Sequence, residues 1–271
     1  RPSAPSFSVT SLSSNHRSIT LAAIEIRAPL DGVILPLEQV PDPVFSQKMV
    51  GDGLAIDPLS QLLTAPCSGT VTQLHHAGHA VTLTTPEGIE ILMHIGLDTV
   101  ALKGKGFEPR VTLGQKVALG DALIAFDADF LATSAKSLLT LLVITNGEKV
   151  ASMSVASGRV YSSQEACLTL TLAEVGEATE LRGKRAASPA IVIPNPSGLH
   201  ARPAAVLANL AKRYQSRILL QRGDDEANAK SLTSILGIEI AYGDKVVVIA
   251  EGPDAQEAID KLAAELSAGL G

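Results

Sequence analysis

The stretch Pro194-Asn195-Pro196-Ser197-Gly198-Leu199-His200-Ala201-Arg202-Pro203-Ala204-Ala205 marks a passage from strand to helix. The apolar run at residues 190–193 before it reads as a strand. After it, Ala204, Leu207, Leu210 and Ala211 recur at helical spacing and predict a helix over residues 201–214. His200 therefore stands at the mouth of a helix, with Arg202 and Pro203 in the first turn. The first N–H groups of a helix have no partner inside it, and the helix dipole is positive there. Such a corner is an anion site. Proline fits the first turn because its missing N–H would go unused. Arg202 offers a planar fork of donors suited to phosphate, and Ser197 and Ala201 are further candidate phosphate contacts. Local pattern alone leaves two readings of His200 open: a cap or surface residue, and a phosphoryl acceptor.

Outward from this corner, residues 218–221 and 245–250 read as strands, with a turn at Gly223-Asp224. Residues 255–266 form an amphipathic helix with Ala258, Ile259, Leu262 and Leu266 on one face. Strands alternating with helices in so short a segment predict an α+β sandwich, one sheet covered by helices.

The first half reads differently. From about Leu21 to Ala173, short Val/Ile/Leu/Thr runs are cut by Pro29-Leu30-Asp31-Gly32, Pro66-Cys67-Ser68-Gly69 and Thr85-Pro86-Glu87-Gly88. This predicts an all-β sandwich or barrel, with one helical stretch at 129–136. The chain of 271 residues suits two domains. The expected division is a disordered tail at 1–20, a β domain at 21–173, a polar linker at 174–187 and the α+β domain at 188–271. Aromatic content is only 3%, so aliphatic side chains must fill both cores. A net charge of −6 argues against a nucleic-acid surface, and no apolar run is long enough for membrane insertion. Cys67 and Cys167 lack metal spacing and fit a reducing compartment, hence a cytoplasmic location. The chain begins with Arg1, so more protein is expected beyond its ends.

Two histidines dominate the β half, His79 and His94, on predicted strands either side of Thr85-Pro86-Glu87-Gly88. A tight turn about Pro86-Glu87 places His79 opposite His94, with Cβ atoms roughly 5 Å apart. A glycine bulge at Gly88 would shift that register by one residue. Three readings fit the pair: histidines satisfied by packing, a zinc site of His79, His94 and Asp98, and a phosphoryl-transfer site.

Longer motifs carry a resemblance. Residues from about 188 onward, with the stretch 194–205, Ala229-Lys230-Ser231-Leu232 and Gly243-Asp244, resemble HPr, the histidine phosphocarrier of the bacterial phosphoenolpyruvate-dependent sugar phosphotransferase system. Residues 24–172 resemble the glucose-family enzyme IIA of the same system. The matching motifs include Ala28-Pro29-Leu30-Asp31-Gly32, Val40-Pro41-Asp42-Pro43-Val44-Phe45 and Met93-His94-Ile95-Gly96-Leu97-Asp98-Thr99-Val100. The resemblance implies a β-sandwich of duplicated hybrid motifs, followed by an open-faced α+β sandwich of four antiparallel strands and three helices.

It also implies roles. His200 and His94 are the phosphorylated residues, His79 supports His94, and Phe45, Val50, Val100 and Asp98 belong to the partner-docking surface. Ser231 matches a serine that is regulatory in some relatives, although a serine before a helix is also a cap. Ala77 departs from the family pattern, which commonly has a threonine there; the hydroxyl that would orient His79 is absent. The expected function is a phosphotransferase relay from enzyme I to His200, then His94, then the cysteine of a IIB or IIBC sugar permease at the inner membrane, of glucose or N-acetylglucosamine type. No cofactor is expected in this chain, Mg²⁺ being needed only by enzyme I. Fused multiphosphoryl transfer proteins carry these two modules ahead of enzyme I, which would then be the missing C-terminal domain. The alternatives are a regulatory binding module of the IIA type and the zinc site.

Overall fold

The strand Thr140–Ile144 is buried along its whole length, which requires that both faces of its sheet be covered. It lies in an eight-stranded antiparallel sheet in the computed structural model, which describes residues 23–173 and 184–270. The strand order is Gly158–Val160, Gly32–Pro36, Asp52–Pro58, Thr140–Ile144, Glu90–His94, Ala80–Thr84, Gly69–Leu74, Lys116–Val117. Two three-stranded sheets complete this domain, one built around Ala166–Leu172 and the other around Ala122–Phe126.

Side chains alternate across a strand. Leu54, Ile56, Ile91, Met93, Leu142 and Ile144 therefore enter one core, together with Ile26, Leu30 and Leu83. Ala55, Leu92, Leu141 and Val143 belong to a second cluster, which continues into the other domain. A short helix, α1 (Pro43–Ser46), adds Val44 and Phe45 to that cluster. Its start is fixed by the Asp42 carboxylate, which accepts from the Val44 N–H at 2.9 Å. The expected helix at 129–136 is α2 (Ala128–Ser134), capped by Asp127, whose carboxylate accepts from Phe130 N–H. It ends two residues early because Ala135 is extended.

The second domain holds three helices, α3 (Ala201–Ala211), α4 (Leu232–Gly237) and α5 (Ala255–Ala268). Its sheet runs Lys184–Ala187, Lys245–Gly252, Arg217–Arg222, Asp225–Asn228, and Ile191–Val192 also pairs with Lys245–Gly252. The segments 184–187 and 191–192 are one edge strand interrupted at Ser188-Pro189. There the Ser188 hydroxyl accepts from the Val248 N–H at 3.0 Å, and proline has no N–H to offer the ladder. Counted so, the domain has four antiparallel strands and three helices. Leu207, Ala211, Ile259, Leu262 and Leu266 supply the helical side of its core.

Two expectations are corrected. The polar linker expected at 174–187 ends earlier, because Lys184–Ala187 pairs with Lys245–Gly252. An edge strand needs backbone pairing on one side only, so Lys184 and Arg185 do not prevent it. Second, Ala80 rather than His79 faces His94. Gly88 has φ +81° and its N–H donates to Thr85 O, while Thr85 N–H donates to Ile89 O. This extra residue in the turn shifts the register by one. The tail expected at 1–20, and residues 174–183 of the expected linker, lie outside the described residues.

The two domains are docked. The Glu90 carboxylate of the first accepts from Thr145 Oγ1 at 3.1 Å, and from Ser231 Oγ at 3.4 Å and Thr233 Oγ1 in the second. Lys212 Nζ donates to Thr145 O at 3.4 Å and pairs with Glu148 at the same distance. Asn209 donates to Met49 O at 3.0 Å. Removing the carboxylate leaves partly buried hydroxyls without their acceptor, a loss of about 1–3 kcal/mol. Glu90→Ala is therefore expected to loosen docking while each domain stays folded. The check is ¹⁵N relaxation: domains that tumble separately in the variant and together in the parent.

Candidate functional site

His94 closes the strand Glu90–His94, so its position is set by ladder bonds to Thr140–Ile144 on one side and Ala80–Thr84 on the other. The chain then turns sharply: Gly96 has φ +70° and Asp98 φ +60°. Gly96 is required, because a Cβ there would sit 2.7 Å from Thr99 Cγ2 and 3.0 Å from Ser137 O. The turn is pinned by Thr99 Oγ1 donating to Ile95 O at 2.9 Å and by Leu97 N–H donating to Ser137 O. Its consequence is chemical. The Gly96 carbonyl faces His94 Nδ1 at 2.8 Å, and a carbonyl can only accept. Nδ1 therefore carries the proton, and Nε2 holds the free lone pair of the neutral ring. Nε2 is thus the ring atom with a lone pair free to attack.

His79 follows Gly78, whose φ is +69°. Its ring lies edge-on to that of His94, centroids 4.8 Å apart. Although the register differs from the expected one, the two rings meet, because His79 lies just before the strand rather than on it. His79 is 3% exposed, and its Nδ1 has no hydrogen-bond partner among the described residues. Ala77, buried nearby, offers no hydroxyl.

His200 caps α3 with extended backbone, and its carbonyl accepts from Ala204 N–H at 2.9 Å. The loop before it is fixed by Gly198 at φ +68°, where a Cβ would lie 2.1 Å from Ile240 O. Leu199 N–H donates to that same carbonyl at 2.9 Å. The amides of Ala201 and Arg202 take no backbone partner among the described residues. The His200 ring therefore sits beside unused helix N–H groups.

Docking places both sites on one cavity of about 270 Å³, lined by His75, His79, His94, Ser197, His200 and Ala201. Phe45, Asp98 and Val100 line it as well. Phe45 packs against His94, ring centroids 5.8 Å apart. Three predicted residues stand apart from it. Val50 is buried in the cluster behind the cavity, and Arg202 is exposed on the first turn of α3, not among the lining residues. Ser231 lies at the other end of the interface as the cap of α4, accepting from Ser234 N–H at 3.2 Å. Among the described residues, no group of three or more His, Cys, Asp or Glu is arranged to hold a metal ion.

Sequence reasoning missed His75. Its ring centroid is 4.2 Å from that of His79 and 6.5 Å from that of His200, so it stands between the two sites. The sequence signal was the density of Leu74-His75-His76-Ala77-Gly78-His79, which spacing alone does not connect to His200.

Burial dominates the electrostatics. It pushes His79 down to about 2 and His75 to about 4, with neighbouring histidines adding to both shifts. It also lowers His94, against the opposing pull of the Gly96 carbonyl, and lowers His200. At neutral pH these four rings are uncharged. The lone pairs are available, and no cationic ring repels another.

A β-sandwich and an α+β domain bring neutral histidines to a shared cavity, beside unused helix N–H groups, an arrangement suited to histidine-based group transfer. Residues 24–150 match the family described as phosphoenolpyruvate-dependent sugar phosphotransferase system, EIIA 1. Residues 187–268 match the PTS HPr component phosphorylation site family. The glucose-specific EIIA component of Buchnera aphidicola is 42% identical over 146 residues, covering 54% of this chain and 91% of that protein. The corresponding component of Halalkalibacterium halodurans is 48% identical over 126 residues, 46% of this chain and 73% of that protein. Glucose permease IIA from Mycoplasma capricolum superposes with a TM-score of 0.52 at 37% identity, covering 55% of this chain and 96% of that one. The chain belongs to the glucose-family EIIA proteins of the sugar phosphotransferase system, and carries an HPr domain after its EIIA domain.

The lowered histidines predict a pH dependence of stability. In the unfolded chain they bind protons near pH 6.5; in the folded one they bind them only at lower pH. The unfolded state then holds more protons between these limits, so stability rises with pH there. Stability is expected to be full above about pH 6.5 and to fall as the pH drops towards 4. His79→Phe should flatten that fall. Urea denaturation at stepped pH checks both; a parent whose stability is unchanged between pH 7 and pH 4.5 would contradict the assignment.

Proposed function

We propose that the chain passes a phosphoryl group from enzyme I to His200, from His200 to His94, and from His94 to the cysteine of a IIB domain of a sugar permease of glucose or N-acetylglucosamine type. The carrying observation is the cavity shared by His94 and His200 across the domain junction. Phosphoryl transfer asks chiefly for positioning and for stabilisation of charge on the equatorial oxygens. The unused amides of Ala201 and Arg202 supply such donors at the His200 end.

The step balances without a net proton transfer. The P–N bond at His200 breaks as His94 Nε2 forms its own bond to phosphorus. The phospho-His200 ring, protonated on its second nitrogen, keeps the bonding pair and leaves as neutral imidazole. The His94 proton stays on Nδ1 against the Gly96 carbonyl throughout. Arg202, exposed on the first turn, meets enzyme I or the arriving phosphoryl group rather than the interdomain cavity. This reading needs no cofactor in the chain itself, places Mg²⁺ on enzyme I, and sets the chain on the cytoplasmic side of the permease membrane. One linker between donor and acceptor raises their effective concentration, which favours transfer within a chain.

Incubation with enzyme I, Mg²⁺ and phosphoenolpyruvate, followed by peptide mass spectrometry, tests the relay. The expected result is acid-labile phosphoryl groups on His200 and His94, both lost in His200→Ala and only the second lost in His94→Ala. Label on His94 in the His200→Ala chain would overturn the order of transfer. A mixture of those two variants should label His94 more slowly than the parent does; an equal rate would overturn transfer within a chain.

A further inference from the structure

His75 belongs to neither histidine site by position in the chain, yet it lies between them. Its ring lies tilted against that of His79, centroids 4.2 Å apart, and 6.5 Å from that of His200. It lines the shared cavity and also the neighbouring recess around Leu199, Glu239 and Tyr242. A half-buried imidazole at such a junction costs desolvation. Its orientation is set: His75 Nδ1 accepts from the Ala77 N–H at 3.2 Å. A ring nitrogen that accepts carries no proton, so the neutral ring bears its hydrogen on Nε2, on the far side of the ring from Ala77. Burial and the neighbouring histidines hold the ring in that neutral form, with a pKa of about 4. The result is a fixed N–H donor. By contrast, His79 Nδ1 is buried without a partner among the described residues. His79 is therefore held by packing, with the rings of His75, His94 and Phe107 around it.

Resting on the relay reading above, we propose that His75 is a fourth histidine of the transfer site, whose Nε2–H donates to an equatorial oxygen of the phosphoryl group as it passes from His200 to His94. The role is electrostatic: His75 forms no bond to phosphorus and gives up no proton. A fixed donor aimed at developing charge in a water-poor site contributes about 10²–10³ in rate where it has been removed elsewhere. Here the backbone amides at α3 share the task, so at least a tenfold effect is expected.

Two variants separate a donor from a packing residue. His75→Phe keeps an aromatic ring of similar size and loses the N–H. His75→Gln keeps an N–H donor at similar reach and loses the ring. In single-turnover rapid quench with the full chain, enzyme I and labelled phosphoenolpyruvate, His75→Phe should acquire label at His200 at the parental rate. It should then pass that label to His94 at least tenfold more slowly, with His75→Gln staying within about threefold of the parent. Parental transfer in His75→Phe overturns the donor role. So does a loss in His75→Gln as large as that in His75→Phe, since packing alone would then account for it. A parent that takes no label at His200 overturns the relay and the donor role together.

Discussion

Desolvation of imidazole at the junction of two domains is the constraint on which this molecule's site depends. A protonated histidine has no lone pair to offer phosphorus, and several protonated rings within 7 Å would repel one another. Burial removes both difficulties by making the charged form costly. The enclosure comes from both domains. The strand Thr140–Ile144 is apolar on both faces, and its second face joins one cluster with the core of the HPr domain. Docking therefore completes a hydrophobic layer and, in the same event, encloses the rings on one cavity.

Much of this was legible in the sequence, and the reasons for the exceptions are physical. His200 at a helix start followed from helical spacing and a proline in the first turn. His94 followed from a long ordered motif whose glycine the turn requires. The hairpin register did not, because Gly88 adopts a left-handed conformation that inserts one residue into the turn. The strand Lys184–Ala187 was hidden by its charge, since an edge strand needs no alternating apolar face. His75 and Glu90 were invisible for another reason. Each matters through a residue on the other domain, His200 in one case and Thr233 in the other. Pairings over such sequence separations arise only from tertiary structure.

The junction differs in character between its centre and its edge. Phe45, Leu92 and Leu141 lie in the shared apolar cluster. Around it are single polar contacts: Glu90 to two hydroxyls, Lys212 to Glu148 and a carbonyl, and Asn209 to a carbonyl. Exposed ion pairs such as Lys212–Glu148 contribute at most about 1 kcal/mol each. The polar edge thus sets orientation more than strength.

Modest strength is what a carrier of this kind requires. If His94 is to meet a permease, the face that holds the HPr domain must be released, since Phe45, Val100 and Asp98 line the same cavity as His200. On the proposed relay, a tightly bound HPr domain would block the surface through which the phosphoryl group leaves. Covalent linkage resolves the conflict. Two sites on one chain meet at a higher effective concentration than two separate molecules would. Neutral histidines favour the same balance: in the unphosphorylated chain no imidazolium has to be stripped of water when the domains meet.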